Sequence, residues 1–357
     1  MHTRETTRPR RSRLGVDLTL LALVGVLLIA ALGAGGIALY QQFYGPSAFV
    51  VRYLELLSEG RAADALRVPG VAIDRATLST AGIDTAASEA MLRRSALAPL
   101  TDVHVESEEP ADAGTAVTVS YKAAGHAGTT TFVIERDGWL GVTPNWRFQT
   151  SPLAVVELTV RGADQFAVNG FEVDRRQISP DGVDADALES LPLLVFTPGL
   201  YSVTVDTPIA ESSGSGVLAD TPLAITPLDV QTEPTPEFVA VVQQRVEEFL
   251  AECATQEVLQ PTACPFGLQV SNRIASTPAW SIAAQPTVTV APDDTGHWLI
   301  PTADAVAHLE VEIQSLFDGS IQDVSEDVPF QVNGTIVILP DGSASIRVGS
   351  PEEQPAG

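Results

Sequence analysis

A 22-residue apolar run, Leu18–Leu39, constrains the fold of this chain more than any other feature of its sequence. At about 1.5 Å per residue, a helix of this length spans roughly 33 Å, which matches a bilayer hydrocarbon core of roughly 30 Å. Within lipid, a lone segment satisfies its backbone hydrogen bonds only as a helix. The run therefore predicts one transmembrane helix at residues 18–40, and the sequence offers no candidate for a second crossing.

The residues that flank the run predict its orientation. Five arginines and two acids lie in the basic tail at residues 1–17, and arginine-rich flanks stay on the cytoplasmic side of a membrane. We therefore expect a single-pass protein of the plasma membrane, with a cytoplasmic N-terminus and an extracellular C-terminal part. The alternative is a secreted protein released by signal-peptide cleavage near residues 31–36. The run continues through Ile37 and Leu39, and this length favours the uncleaved anchor.

The exterior part is strongly acidic. Beyond residue 17 the chain carries 43 Asp and Glu against 15 Lys and Arg, a formal charge of −28. Such a field repels polyanions at short range, and salt screens it beyond about 8 to 10 Å. The predicted partners are the membrane, through the one integral helix, and either another envelope protein or a cationic ligand. Nucleic acid is disfavoured.

Cys253 and Cys264 are the only cysteines of the chain. Both lie in the predicted exterior part, where an even cysteine count indicates a disulfide. With ten residues between the two cysteines, the chain-entropy estimate for the bridge is of order 2 to 3 kcal/mol.

Hydrophobic periodicity divides the exterior chain into modules. Residues 46–150 begin with a helix at 46–57, continue with a short helical turn at 61–66 and a helix at 88–97, and then change to strand periodicity, with Asp137-Gly138 as a hairpin turn. Residues 152–230 read as a small all-β sandwich of short strands, with turns at Asn169-Gly170 and Pro198-Gly199. Residues 231–236 have the composition of a stiff linker.

A second helix-then-sheet module is predicted at residues 237–349. Pro236 opens its helix, whose apolar stripe comprises Phe238, Val242, Val246, Phe249 and Cys253. Strand-like runs follow, with Asn333-Gly334 and Asp341-Gly342 as hairpin signals, and residues 350–357 form a disordered tail. The predicted fold class is one N-terminal transmembrane α-helix followed by α+β, all-β and α+β exterior modules.

Two segments resemble known families. The run from Phe49 to Leu66, FVVRYLELLSEGRAADAL, resembles the opening of NTF2-like and cystatin-like exterior domains of bacterial anchored proteins. Val168-Asn169-Gly170 and the run Thr197–Val203 resemble small β-sandwich modules of the PEGA type. The whole chain is similar to actinobacterial membrane-anchored exterior proteins of the TcaA-like kind. That resemblance implies binding or scaffolding, and it carries over no catalytic residue.

Candidate chemistry is sparse. The five histidines lack a metal-ligand spacing, and no nucleophile elbow is present. The densest carboxylate cluster is Asp181-Gly182-Val183-Asp184-Ala185-Asp186 with Glu189, whose glycine is misplaced for a calcium loop; an acidic helix start capped by Asp184 or Asp186 is the better interpretation. The four tryptophans are expected to pack in the core or at its rim. The sequence thus predicts no catalytic, cofactor or metal residue, and the disulfide pair Cys253 and Cys264 is its only site.

These observations favour a noncatalytic binding, scaffolding or sensing element at the cell envelope. The alternative is an exterior small-ligand receptor that uses a cavity in an α+β module, and an enzyme ranks third. A polar cavity with converging carboxylates would favour the receptor, whereas a filled module with exposed apolar patches would favour the scaffold.

Overall fold

A computed structural model describes residues 20–27, 43–141, 143–293, 295–339 and 342–349. Residues 20–27 are helical. Within the described ranges, no helix is long and apolar enough to cross a membrane. The basic tail, most of the predicted transmembrane helix, Asp341 and the predicted disordered tail lie outside these ranges.

The described chain is mostly antiparallel β-sheet with few helices, which confirms the α+β and all-β character expected from the sequence at this coarse level. It divides into two compact units. Unit 1 comprises Met1–Ala72 and Leu100–Pro152, and unit 2 comprises Ile73–Pro99 and Leu153–Gly357.

Unit 1 packs a helix against a four-stranded antiparallel meander in the order β1-β2-β3-β4. Its elements are α1 (Pro46–Ser58), α2 (Ala62–Ala65), β1 (Leu100–Ala111), β2 (Gly114–Ala123), β3 (His126–Leu140) and β4 (Thr143–Phe148). Pro46 stands in the first turn of α1, where its missing N–H costs nothing. The helix then buries Phe49, Tyr53, Leu54 and Leu57, as their spacing predicts.

Aromatic rings fill the space between α1 and the sheet of unit 1. The Tyr53 ring centroid lies 5.0 Å from that of Phe148 and 6.1 Å from that of Phe132, both in edge-to-face contact. Phe49 approaches Phe148 to 5.1 Å on the other side. These buried rings interdigitate between α1 and the sheet and fill the interior of this module.

Unit 2 contains three helices and fifteen strands among its described residues. Its helices are α3 (Arg75–Thr80), α4 (Arg175–Ile178) and α5 (Pro236–Ala254). Its first strands are β5 (Leu153–Arg161), β6 (Gln165–Val168), β7 (Phe171–Asp174), β8 (Leu191–Phe196), β9 (Gly199–Thr204), β10 (Ala210–Glu211), β11 (Ser215–Ala219), β12 (Ile225–Gln231) and β13 (Glu233–Pro234). The remaining strands are β14 (Arg273–Ile274), β15 (Ala279–Ala284), β16 (Ala291–Pro292), β17 (Trp298–Gln314), β18 (Ile321–Ile338) and β19 (Ala344–Gly349).

Four sheets make up unit 2. Strands β11-β9-β6-β7 form one, β12-β5-β8 form a second in which β12 runs parallel to β5, and β10 pairs with β13. In the largest sheet, β17 pairs with β18 and β18 with β19, while β14, β15 and β16 share the other edge of β17. The Asn169-Gly170 turn joins β6 to β7 with positive φ at both residues, as the hairpin signal predicts.

One hydrophobic core extends through the segments predicted as the β-sandwich and the second α+β module. Trp298, which is fully buried, donates its indole N–H to the Gly162 carbonyl at 3.1 Å. Gly162 has φ +87°, and a Cβ there would lie 2.8 Å from the Trp298 ring. The two segments therefore pack as one unit.

The segment 231–236, predicted as a linker, packs into unit 2. Thr232 is buried and its hydroxyl donates to the Arg161 carbonyl, while Glu233–Pro234 pairs with Ala210–Glu211. The hydroxyl of Thr235 accepts from the Phe238 N–H and caps α5. Composition alone misses these roles because threonine serves equally in linkers and caps.

Three local predictions were wrong. Residues 88–97 form two 3₁₀ turns, Glu89–Met91 and Arg94–Ala96, instead of one α-helix. Asp137-Gly138 lies in an irregularity of β3 rather than at the hairpin end. Asn333-Gly334 lies inside β18 and not at a turn. A Cβ at residue 334 would lie 2.5 Å from the Arg347 carbonyl oxygen on β19, so this glycine permits the close approach of the two strands.

Candidate binding surface

The hairpin of β17 and β18 carries the most exposed large apolar side chain among the residues that the structure describes, Phe317. Its turn, residues 315–320, presents Phe317, which is 99% exposed, beside exposed Leu316 and Ile321. We call Leu316, Phe317 and Ile321 the apolar tip.

The turn under the apolar tip is well connected. The Ser315 N–H donates to the Ser320 carbonyl at 2.9 Å, and the Gly319 N–H donates to the Ser315 carbonyl at 3.1 Å. The Asp318 carboxylate accepts from the hydroxyl and the N–H of Ser320 at 2.8 and 3.2 Å. These hydrogen bonds hold the pKa of Asp318 below its usual range, and the hydrogen bond from the Ser320 hydroxyl is the largest cause. The exposure of Phe317 is thus a property of an ordered turn.

Carboxylates cover one face of the same hairpin. Residues directly opposite each other in an antiparallel pair share a face, and here Glu310 lies opposite Ser325, Glu312 opposite Asp323 and His308 opposite Asp327. The Glu312 and Asp323 pair is destabilising because like charges face each other across the ladder. We call Glu310, Glu312 and Asp323 the acidic face.

The acidic face lines a shallow depression of about 410 Å³, which Ser276, Thr277 and Ala279 complete. The Ser276 hydroxyl accepts from the Glu312 N–H at 2.7 Å and fixes this wall. Next to it, the His308 Nδ1 atom lies 2.7 Å from the Asp327 carboxylate. The His308 Nε2 atom also lies 3.8 Å from the Glu310 carboxylate, so this imidazole lies between Asp327 and Glu310.

The predicted disulfide residues lie at the end of α5. Cys253 is buried on the inner stripe, and its sulfur lies at disulfide-bond distance, 2.04 Å, from that of Cys264. The buried stripe contains Phe238, Val242, Val246 and Cys253, as predicted. Its remaining member is Leu250, where the sequence predicts Phe249. Just beyond Cys264, the Phe266 ring packs 5.0 Å from Trp280 and 5.2 Å from Phe330. The pair therefore fastens a loop onto the core.

The acidic cluster at residues 181–189 surrounds a buried arginine. Arg175 is fully buried, and its guanidinium donates to the carbonyls of Asp186 at 3.0 Å, Glu189 at 2.9 Å and Val160 at 2.8 Å. The predicted helix start is absent from this described segment, where only a 3₁₀ turn at Gly182–Asp184 forms. The carbonyls of residues 186 and 189 turn toward Arg175, so they cannot serve a helical ladder.

Two further observations bear on small ligands. Among the described residues, no group of three or more His, Cys, Asp and Glu side chains is placed to hold a metal ion. A polar groove of about 550 Å³ in unit 2 is lined by several side chains, among them Glu172, Asp174 and Asp206. Asp174 is engaged by Arg176 at 2.6 Å, and this hydrogen bond is the main cause that lowers the pKa of Asp174.

Sequence reasoning missed the apolar tip. Apolar alternation predicts strands at Val306–Leu316 and Phe330–Leu339 and assigns no structure to residues 317–329 between them. The available signal was Asp318-Gly319 after a strand in which Glu310 and Glu312 alternate with apolar residues, which is a hairpin pattern.

Comparison of the chain with protein-family models, with curated proteins and with solved structures gave no significant match.

Proposed function

We propose that this protein is a noncatalytic, single-pass anchored exterior protein that binds another envelope protein through the β17–β18 hairpin. The observation that carries this proposal is the apolar tip beside the acidic face on one ordered hairpin. Apolar side chains at this exposure are expensive to leave in water unless a partner covers them, and each large one gains about 1.5 to 3 kcal/mol on full burial.

Charge selects the chemistry of the partner. A cation placed between Glu312 and Asp323 relieves the repulsion between their carboxylates. The exterior charge of −28 steers basic surfaces toward the chain. We therefore expect a protein surface with an apolar pocket bordered by Lys or Arg. The filled interior of unit 1 supports a scaffold over a receptor that uses a cavity in that module.

Site-specific photo-crosslinking in cells tests this function. A photoreactive amino acid at position 317 should give a discrete protein adduct, whereas the same amino acid at position 183 should not. Val183 is a matched control because it is 81% exposed in the same unit. The adduct should decrease at least tenfold in the triple variant Glu310→Gln, Glu312→Gln, Asp323→Asn, since about 1.4 kcal/mol of lost binding corresponds to tenfold. Equal adducts at both positions, or none at 317, would contradict the proposal.

A second candidate is a receptor for a small organic cation at the polar groove. Glu172 and Asp206 lie there on β7 and just after β9, and the groove is large enough for a small ligand. Titration of the full chain with a diamine tests this candidate, with Glu172→Gln as the variant expected to weaken binding. Binding that is unchanged in this variant would exclude the groove.

A further inference from the structure

Unit 1 carries a cluster of aromatic side chains next to the residues that follow the predicted transmembrane helix. Trp146 donates its indole N–H to the Tyr44 carbonyl at 2.8 Å. Tyr44 is the fifth residue after Leu39, and five residues reach at most about 18 Å even when fully extended. If Leu18–Leu39 spans the bilayer, Trp146 is therefore held close to the outer lipid surface.

Arg136 joins a second tryptophan to this cluster. Its guanidinium carbon lies 5.5 Å from the ring centroid of Trp146 and 5.1 Å from that of Trp139. The irregularity between Arg136 and Trp139 in β3 changes the pairing register just before the end of the hairpin. Trp139 is 60% exposed, and Phe43 and Tyr44 are exposed as well. Trp139 and Trp146 thus lie against one cation, and the hydrogen bond from Trp146 to the Tyr44 carbonyl connects them to the exposed residues Phe43 and Tyr44.

We infer that Phe43, Tyr44 and Trp139 lie at the headgroup level of the outer leaflet and dock unit 1 on the bilayer; this inference rests on the proposed anchor. Tryptophan and tyrosine concentrate at membrane interfaces because each ring combines apolar area with a polar atom. Arg136 can keep its charge at the phosphate level while its stem follows the rings.

Local charge agrees with a lipid occupant. Glu135 is paired with Arg147 at 3.2 Å, and Arg136 is followed by Asp137, so the end of this hairpin carries no net charge. The hairpin that carries Trp139 therefore adds no net charge at a bilayer surface, and the acid nearest in contact with the start of α1 is Glu108, which accepts from the Ser47 hydroxyl. The β17–β18 hairpin differs, because its carboxylates would be repelled by anionic headgroups.

Bromolipid quenching of tryptophan fluorescence tests the inference on the full chain in phosphatidylcholine vesicles. Trp139 and Trp146 are two of the four tryptophans of the chain, so lipids brominated near the headgroup should quench up to about half of the emission. The quenched part should fall at least twofold in Trp139→Ser and persist in the control Trp280→Phe, since Trp280 is buried in unit 2.

The outcomes separate the inference from the anchor. A chain that stays in vesicles after an alkaline wash yet shows no bromolipid quenching would overturn the inference alone. Quenching that is equal in wild type and in Trp139→Ser would also overturn the inference. A blue shift of the tryptophan emission that grows with protein concentration in detergent would overturn it as well, because it would show that a second copy covers the exposed rings. A chain washed off the vesicles would overturn the anchor. Thermal melting of Trp139→Ser, expected to match wild type, shows that the variant folds.

Discussion

Arg175 shows how a single buried cation organises a loop. Its guanidinium is surrounded by three backbone carbonyls, and its Nε atom lies 3.7 Å from the Asp164 carboxylate. Burial is the main cause that lowers the pKa of Arg175, while the carboxyl groups of Asp164, Glu189 and Asp186 oppose that shift. The acidic segment has a structural role here, because its backbone carbonyls at Asp186 and Glu189 accept from the buried guanidinium.

Replacement of Arg175 by Met should destabilise unit 2 by about 3 kcal/mol, because three buried carbonyls lose their donors. Urea unfolding of the full chain in detergent measures this change through the emission of Trp280 and Trp298, both buried in unit 2.

The matched control is Arg161→Met. Arg161 is half exposed and lies 3.9 Å from Asp229, so its replacement should cost less than about 1 kcal/mol. Equal losses in the two variants would refute the organising role of Arg175.

At the scale of elements, the cysteine pair links the end of α5 to the loop that carries Phe266. The loop is already held by ring packing and by the hydrogen bond from the Trp280 indole to the Val258 carbonyl at 2.8 Å. Because the bridge closes only a short loop, its loss should lower the free energy of unfolding by about 2 to 3 kcal/mol and leave the fold intact.

Thermal melting with and without a reductant measures this contribution. The double variant Cys253→Ser, Cys264→Ser should melt like the reduced wild type and should not respond to the reductant. Thiol labelling of folded, exported protein gives an independent check: free Cys253 and Cys264 before reduction would refute the bridge.

Also at the scale of elements, the β17–β18 hairpin should contribute to partner binding and little to the stability of the fold. Phe317 contributes almost nothing to the core because it is 99% exposed. Phe317→Ser should therefore change the free energy of unfolding by less than about 0.5 kcal/mol while it abolishes partner adducts formed from a photoreactive group at position 316. A large loss of stability would indicate that the apolar tip is a structural element instead of a binding surface.

At the scale of the whole molecule, the formal charge of −28 beyond residue 17 predicts a salt-dependent association. Raising the ionic strength from 0.1 to 1 M shortens the Debye length from about 10 to about 3 Å, which removes most of the steering of a basic partner. The yield of the position-317 adduct should fall with added salt in wild type. In the variant that neutralises Glu310, Glu312 and Asp323, this salt dependence should be weaker, and an equal dependence in both would contradict the role of these carboxylates.

The sequence predicted features that depend on local periodicity. The inner stripe of α5 and the fold of α1 follow from apolar spacing, and the cysteine pairing follows from an even count. It could not predict that Trp298 would reach Gly162, because that contact joins residues far apart in the chain and makes two composition-defined modules into one unit. The environment of Arg175 was missed for the same reason, since it depends on burial, whereas the apolar tip was missed although Asp318-Gly319 signals its turn locally.

The measurement that tests the anchored exterior chain most directly is protease accessibility in cells stripped of their wall. Full-length protein with a tag at each end should lose its C-terminal tag to added protease while the cell remains intact, and the N-terminal tag should stay protected in a small membrane-bound fragment. Protection of the C-terminal tag, or recovery of the acidic part of the chain from the cytosol, would contradict the anchored exterior chain.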